Sequence, residues 1–317
     1  MQLKVIQLNI EVGAFLEDAV TFLNAENPDV LFLQEVGNSQ GDNLPSHYAT
    51  LGRLKSKLTL KHVVYSPTGV YKLPEGMVEM GNAIFSRYPL ELVDTIFYDV
   101  PYSPSYTDTS GDFSMVPRNL QHAILSIKTV DIHLFNTHGI WGKGDNERKN
   151  QMAERIVQEI KGKKNVILAG DFNTIPDTKT IKLIESMLSN VAKDRSETTF
   201  NMRQKTNPIF SKFIVDMIFI SKNIQMKESS VPDVDISDHL PVVASVELTE
   251  SLRHKSLHFM RLVLFKNIFF VQLLSSIKFF WSSISALKSF RSLQFGSKLK
   301  INYSVVSQNK VPNSYKS

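Results

Sequence analysis

Short apolar runs recur along the chain, most of them about four to eight residues long and closed by Gly, Pro, Asn or Asp. Leu3–Ile10, Val30–Leu33, Ala83–Phe85, Ala123–Ile127, Ile132–Asn136, Val166–Ala169, Phe213–Ile220 and Val242–Leu248 read as strands. Three segments have helical spacing instead. Phe15, Ala19, Phe22 and Leu23 share a face that ends near Asn27-Pro28. Met152, Ile156, Val157 and Ile160 share a second within 145–161, and Ile181, Ile184, Met187 and Leu188 a third, opened by Asp177 or Thr178 as a cap. Strands outnumber helices and their connections vary in length. That predicts a layered α/β domain with antiparallel or mixed sheets, not a regular doubly wound one. Segment 66–82, with Pro67, Gly69, Pro74, Gly76 and Gly81, reads as a long loop, as does 99–117, rich in Ser, Thr, Pro, Asp and Tyr.

The pattern changes in residues 250–317. Leu257 to Phe290 is dense in Phe, Leu, Ile and Ser, broken by Arg261, Lys266, Lys278 and Lys288. Its longest uncharged stretch, Asn267–Ile277, is too short to span a bilayer. Two readings stand: a basic amphipathic helix meeting a membrane surface or acidic partner, or an extension packed on the domain or poorly ordered. Charge divides at the same place. The formal net charge is +5, but 11 Lys and Arg stand against Glu250 alone in the last 68 residues, so residues 1–249 carry −5. A mildly acidic domain lacks the footprint of a general nucleic-acid binder.

The chain is 42% hydrophobic, enough for one large globular core. The absence of cysteine excludes disulfides, zinc–thiolate sites and a cysteine nucleophile. There is no Gly-x-Gly-x-x-Gly, Walker loop or Gly-x-Ser-x-Gly. Met1-Gln2-Leu3-Lys4-Val5-Ile6 runs straight into a strand pattern, unlike a secretory signal. The expectation is a cytoplasmic protein, membrane-peripheral if 257–290 forms its helix.

Six polar signatures close apolar runs: Asn9-Ile10-Glu11, Gln34-Glu35, Asn136-Thr137-His138, Gly170-Asp171-Phe172-Asn173, Asp216 within Ile214–Ile218, and Ser237-Asp238-His239. Singly, Asn9 is a turn former, Glu35 a solvated acid, Asp171 and Asn173 an Asx-turn, and His138 a core or loop histidine. Asp216 is different, because a carboxylate inside so apolar a run is costly to bury unless paired or liganding. Asp238 beside His239 could fix an imidazole tautomer or hold it charged. Arg118, before the Leu120–Ile127 run, could grip a phosphate oxygen or lie on the surface. Together the six supply carboxylates, amides and two imidazoles, a set suited to a hard divalent metal, Mg²⁺ or Mn²⁺, and to hydrolysis of a phosphate ester.

The order Asn, Glu, His, Gly-Asp-x-Asn, Asp, Ser-Asp-His resembles the endonuclease/exonuclease/phosphatase superfamily. Gly81-Asn82-Ala83-Ile84-Phe85-Ser86-Arg87-Tyr88-Pro89 is similar to a strand motif of that superfamily. The likeness covers residues 1–249 as a catalytic domain and leaves 250–317 as a C-terminal extension. It implies a four-layer α/β sandwich, two packed mixed sheets flanked by helices, with the site at one end. It also implies that Asn9 and Glu35 hold the metal, with Glu11 as a weaker match, and that Asp238, counted with the metal residues, pairs with His239 or ligands near it. Asp171 would activate or orient water, with Asn173 beside it. Asp216 would orient a histidine or serve the site electrostatically, His239 would contact the phosphate, His138 would contact or protonate it, and Arg118 would face it.

The expected function is metal-dependent hydrolysis of phosphate esters, chiefly diesters, by in-line attack of water. The substrate stays open among nucleic acid, a lipid headgroup as in sphingomyelinases, and an inositol or sugar phosphate. Tyr65, Tyr71, Tyr102 and Tyr106 could stack bases or pack on a headgroup, and Lys143, Arg148 and Lys149 could serve a phosphorylated sugar. A non-catalytic binding module on the same scaffold is the remaining alternative. The oligomeric state is not legible.

Overall fold

Apolar residues at alternate positions place one face of each central strand against a partner layer, and a computed structural model describes the result for residues 1–39, 44–107, 113–192 and 198–248. The expectations for 250–317 lie outside the described residues. The strands are β1 (Gln2–Asn9), β2 (Val30–Gly37), β3 (His62–Leu73), β4 (Gly76–Ser86), β5 (Leu90–Phe97), β6 (Ser103–Tyr106) and β7 (Asn119–Ile127). They continue with β8 (Val130–His138), β9 (Val166–Asp171), β10 (Ser189–Asn190), β11 (Asp216–Ile220), β12 (Ile224–Ser230) and β13 (Val242–Leu248). The helices are α1 (Leu16–Glu26), α2 (Thr50–Lys57), α3 (Glu147–Ile160) and α4 (Lys179–Glu185).

One sheet has seven strands in the order β12-β13-β1-β2-β4-β3-β6, the other six in the order β10-β11-β9-β8-β7-β5. Both are mixed, with β1–β2 and β8–β9 parallel and most other pairs antiparallel. Helices α1 and α2 bury Leu16, Ala19, Leu23, Leu51 and Leu54 on the outer face of the larger sheet. Helices α3 and α4 bury Met152, Ile156, Ile181 and Ile184 on the outer face of the smaller one. The four-layer α/β sandwich is thus the observed fold. Among the described residues no helix is long and apolar enough to cross a membrane.

Two expected loops contain strands. Most of segment 66–82 belongs to a β3–β4 hairpin turning at Pro74-Glu75, with Pro67 and Gly69 at a bulge in its ladder. Its Pro and Gly residues punctuate a strand pair rather than mark a loop. Segment 99–117 includes β6, which pairs in parallel with β3. The run expected at Phe213–Ile220 enters its sheet only at Asp216. Strands β5 and β12 escape sequence reading because much of each is exposed, so neither shows a clean alternation of buried apolar and exposed polar positions.

The inner layer between the sheets positions the site. Its apolar part contains Leu3 and Val5 on β1, Val30 and Phe32 on β2, Ile84 on β4, Leu125 and Ala123 on β7, Ile132 and Leu134 on β8, Ile167 and Ala169 on β9, and Ile220 and Ile218 on β11. Two residues further along the same face, each strand turns polar: Gln7, Gln34, Asn82, Gln121, Asn136, Asp171 and Asp216, all buried.

Candidate active site

These polar positions are joined across the sheets. Gln7 Nε2 donates to Gln34 Oε1 at 2.7 Å and to Asp216 Oδ1 at 3.0 Å. Gln34 Nε2 donates to Asn136 Oδ1 at 2.7 Å, and Asn136 Nδ2 donates to the carbonyls of Leu33 and Ala83, each at 3.0 Å. Directional bonds therefore set where each strand end lies relative to the others.

Local backbone chemistry then aims the acids. A bulge between Leu33 and Val36 interrupts the β2–β4 ladder and leaves Glu35 at φ 55°. Glu11 takes φ 46° just past the end of β1. Non-glycine residues held in this region carry strain, which clusters at functional sites. Gly170 lets β9 approach β8 closely, since a Cβ there would lie 2.0 Å from the Thr137 carbonyl oxygen. The next residue, Asp171, consequently sits beside His138 at the shared strand ends.

Asp171 lies at the centre. Its Oδ1 accepts the Asn173 N–H at 2.8 Å and its Oδ2 accepts Asn9 Nδ2 at 3.3 Å. His138 Nε2 is 3.4 Å from Oδ2, and His239 Nε2 is 3.8 Å from it. Burial pushes the Asp171 carboxyl up to about 6, with nearby Asp216 adding and His239 opposing. His239 Nδ1 bonds Asp216 Oδ2 at 2.8 Å. Burial disfavours its charged form, but Asp216 first, then Asp171 and Asp238, outweigh burial and raise it to about 10. Asp216 thus draws the His239 imidazole towards its charged form.

His138 is the opposite case. Burial, then Arg118 and His239, hold it well below its ordinary value. Arg118 Nη1 lies 2.5 Å from its Nδ1, and a guanidinium only donates, so Nδ1 accepts and the proton sits on Nε2. Arg118 Nε is buried with no hydrogen-bond partner among the described residues.

Three acids form a second group. Asp238 Oδ2 meets Lys205 Nζ at 2.5 Å, and its N–H reaches Glu11 Oε2 at 3.2 Å. Burial, then Asp238, with Glu35 further down, push Glu11 up to about 6 against the pull of Lys205. Glu35 is a third exposed, and its Oε1 lies 3.9 Å from His138 Nε2. Asn9 Oδ1 faces the same turn, accepting the Glu11 N–H at 3.2 Å. This excess of hard oxygen donors fits a divalent cation of the Mg²⁺ type. Ligand atoms of Asp171, Asp216 and His239 also lie within 4.8 Å of one another. There the imidazole already spends its Nδ1 on Asp216, leaving only Nε2 to face an ion.

All nine candidates named from the sequence, Asn9, Glu35, Arg118, His138, Asp171, Asn173, Asp216, Asp238 and His239, meet at one end of the sandwich. Two local readings change. The partner of His239 is Asp216 and not its neighbour Asp238, because successive side chains leave the backbone on different sides. Asn173 orients Asp171 through its N–H, while its side chain donates to the Gly139 carbonyl at 3.0 Å. The sequence reading missed Gln7, Lys205 and Thr199, whose hydroxyl accepts the Val215 and Asp216 N–H groups at 3.0 and 3.2 Å. It also missed the role of Lys149, a buried ammonium donating to the Gly142 and Asn173 carbonyls at 2.8 and 2.7 Å. Gln7 alone had a signal: a polar residue on the apolar face of β1.

A cavity of about 550 Å³ is lined by Glu11, Glu35, Arg118 and His138 together with Tyr71, Tyr106 and Phe113.

A family model described as the Endonuclease/Exonuclease/phosphatase family matches residues 6–239. Among solved structures, an endonuclease/exonuclease/phosphatase from Beutenbergia cavernae is similar at TM-score 0.61 and 20% identity, over 78% of this chain and 72% of that one. A mannosyl-6-phosphatase from Bacteroides thetaiotaomicron is similar at TM-score 0.57 and 19% identity, over 78% of this chain and all (100%) of that one. D. rerio TDP2 complexed with single strand DNA product is similar at 0.55 and 17%, over 78% and 99%. At these identities the likeness is one of fold. No curated protein matches the chain significantly in sequence.

Proposed function

The chain belongs to the endonuclease/exonuclease/phosphatase family, a family of phosphoester hydrolases, and on that premise we propose that it cleaves phosphodiesters with a bound divalent cation by in-line attack of water. The observation that carries the reading is the buried Asp216–His239–Asp171 arrangement facing Arg118 and the acids beside Asn9. It combines a base, a fixed cationic donor and a hard-cation site within one strand-end layer.

Asn9 and Glu35, with Asp238 and Glu11 beside them, would hold Mg²⁺, and Mn²⁺ suits the same oxygens. Once bound, such an ion polarises a phosphoryl oxygen and stabilises the leaving oxygen. Asp171 orients the attacking water and takes its proton, since its raised affinity for a proton suits a general base near neutral pH. His239, held charged by Asp216, stabilises negative charge on the phosphoryl group. His138 offers its Nε2–H, and Arg118, on the cavity wall beside it, offers its positive charge to the phosphate. Asn173 fixes the Asp171 rotamer through the backbone.

The fold leaves the substrate class open, since it is shared with a mannosyl-6-phosphatase and with a complex holding a DNA product. The test is a panel with added Mg²⁺: single- and double-stranded DNA, RNA, sphingomyelin, inositol phosphates and a generic diester. Asp171→Asn serves as the blank. Turnover of at least one class by the wild type alone is expected, and turnover of none sinks the reading. For residues 257–290 we keep the proposal of peripheral membrane contact. It predicts that the full chain, but not a 1–249 truncation, co-sediments with liposomes.

A further inference from the structure

We propose that the cavity beside the catalytic residues seats a flat ring carried by a compact phosphoester, held between Phe113 and Tyr106 while the phosphate meets Arg118 and His138. The inference rests on the phosphoesterase reading above and deepens it. Volume comes first: about 550 Å³ falls within the range of roughly 300–1,000 Å³ usual for small-molecule sites. The lining brings Glu35, Arg118 and His138 together with the aromatic side chains of Tyr71, Tyr106 and Phe113.

The aromatic end is built in a particular way. Tyr71 and Tyr106 meet edge-on, with centroids 5.4 Å apart at 65°. Tyr71 is tethered through its hydroxyl to Thr68 Oγ1 at 2.8 Å, and Thr68 is itself bonded to the Met80 carbonyl at 2.9 Å. That pair forms a stiff wall. Phe113 differs: its side chain lines the cavity while the residue is 54% exposed and held at φ 53°. A bulky residue with positive φ is an outlier, and among the described residues this large exposed ring stacks on no other. A planar ligand would supply a stacking partner, because every unsaturated ring offers a face to stack. The mildly acidic balance of residues 1–249 argues against a long polyanion threading the site.

The test uses the full chain with Mg²⁺, the variants Phe113→Ala and Tyr106→Leu, and three diesters: a dinucleoside monophosphate, methyl phenyl phosphate and ring-free glycerophosphoethanolamine. The first two separate a nucleobase from a simple aryl group. KM for the preferred ring-bearing ester should rise about tenfold or more in each variant, with kcat nearly unchanged. Its advantage over the ring-free ester should collapse. Calorimetry with adenosine 5′-monophosphate, free of turnover, should show binding weakened by a similar factor in Phe113→Ala. A ratio and an AMP affinity that do not move in either variant overturn the ring site, as does activity that climbs steadily with oligonucleotide length. A wild type that binds AMP through Phe113 yet hydrolyses none of the three esters keeps the ring site and removes the phosphodiesterase reading.

Discussion

The two ends of the inner layer are made by the same strands and behave as different materials. At one end Val5, Phe32, Leu134 and Ile167 fill space with no directional demand. At the other, Gln7, Gln34, Asn136, Asp171 and Asp216 occupy the next positions on the same faces and are placed by hydrogen bonds from strand to strand. The apolar end tolerates small repacking and supplies stability. The polar end gives up some stability, since each buried amide must find partners, and in return fixes groups to within a bond length. Gln7 Oε1, buried without a partner among the described residues, shows where that demand is unmet. Chemistry sits where the layer stops being oil-like.

The largest expected effect comes from breaking the polar end at its charged pair. Asp216→Asn keeps the shape but removes the charge that holds His239 protonated, so kcat/KM should fall about 10²–10⁴-fold while circular dichroism stays native. The apolar end should respond in reverse. Phe32→Ala is expected to cost about 3–5 kcal/mol in urea unfolding, with kcat preserved in the molecules that remain folded. Asn136→Leu lies between the two. It leaves the Leu33 and Ala83 carbonyls and Gln34 Nε2 short of a partner, at about 1–3 kcal/mol. It should also lower kcat without touching substrate, which a purely structural amide would not do.

The smallest effect is a control away from both ends. His122 stacks on Phe135 with centroids 4.2 Å apart, and its Nε2 is 3.0 Å from His133 Nδ1. Burial, then His133 and Lys163, hold His122 down at about 4, against an ordinary value of 6.5. Between those values the unfolded chain binds a proton that the folded chain refuses. Stability should therefore be present above pH 6.5 and be lost as pH falls towards 4. His122→Phe should flatten that slope in melting temperature and leave activity at neutral pH untouched.

Much of this contrast is legible in the sequence. The alternation of Val5, Gln7 and Asn9, or of Ile132, Leu134, Asn136 and His138, carries both the strand and the point where its inner face turns polar. Asp216 stood out because burying an acid in an apolar run is costly, and it is 1% exposed. The pairing of His239 with Asp216 was not legible, since it depends on β11 and the 237–239 segment meeting in space; the resemblance offered Asp216 a histidine without saying which. Lys205 lies in a polar stretch, Asn201 to Asn207, where no periodicity marks one cation above another. The β3–β4 hairpin was hidden because its bulge and turn use the residues that loops use.

The central claim is tested most directly by the rate of bis(4-nitrophenyl) phosphate cleavage, measured for wild type and Asp171→Asn with Mg²⁺ and after chelation. The account predicts turnover by the wild type only when the metal is present, and a loss of about 10³-fold or more in Asp171→Asn with an unchanged melting curve. Equal rates in the two proteins, or a wild-type rate indifferent to chelation, would contradict it.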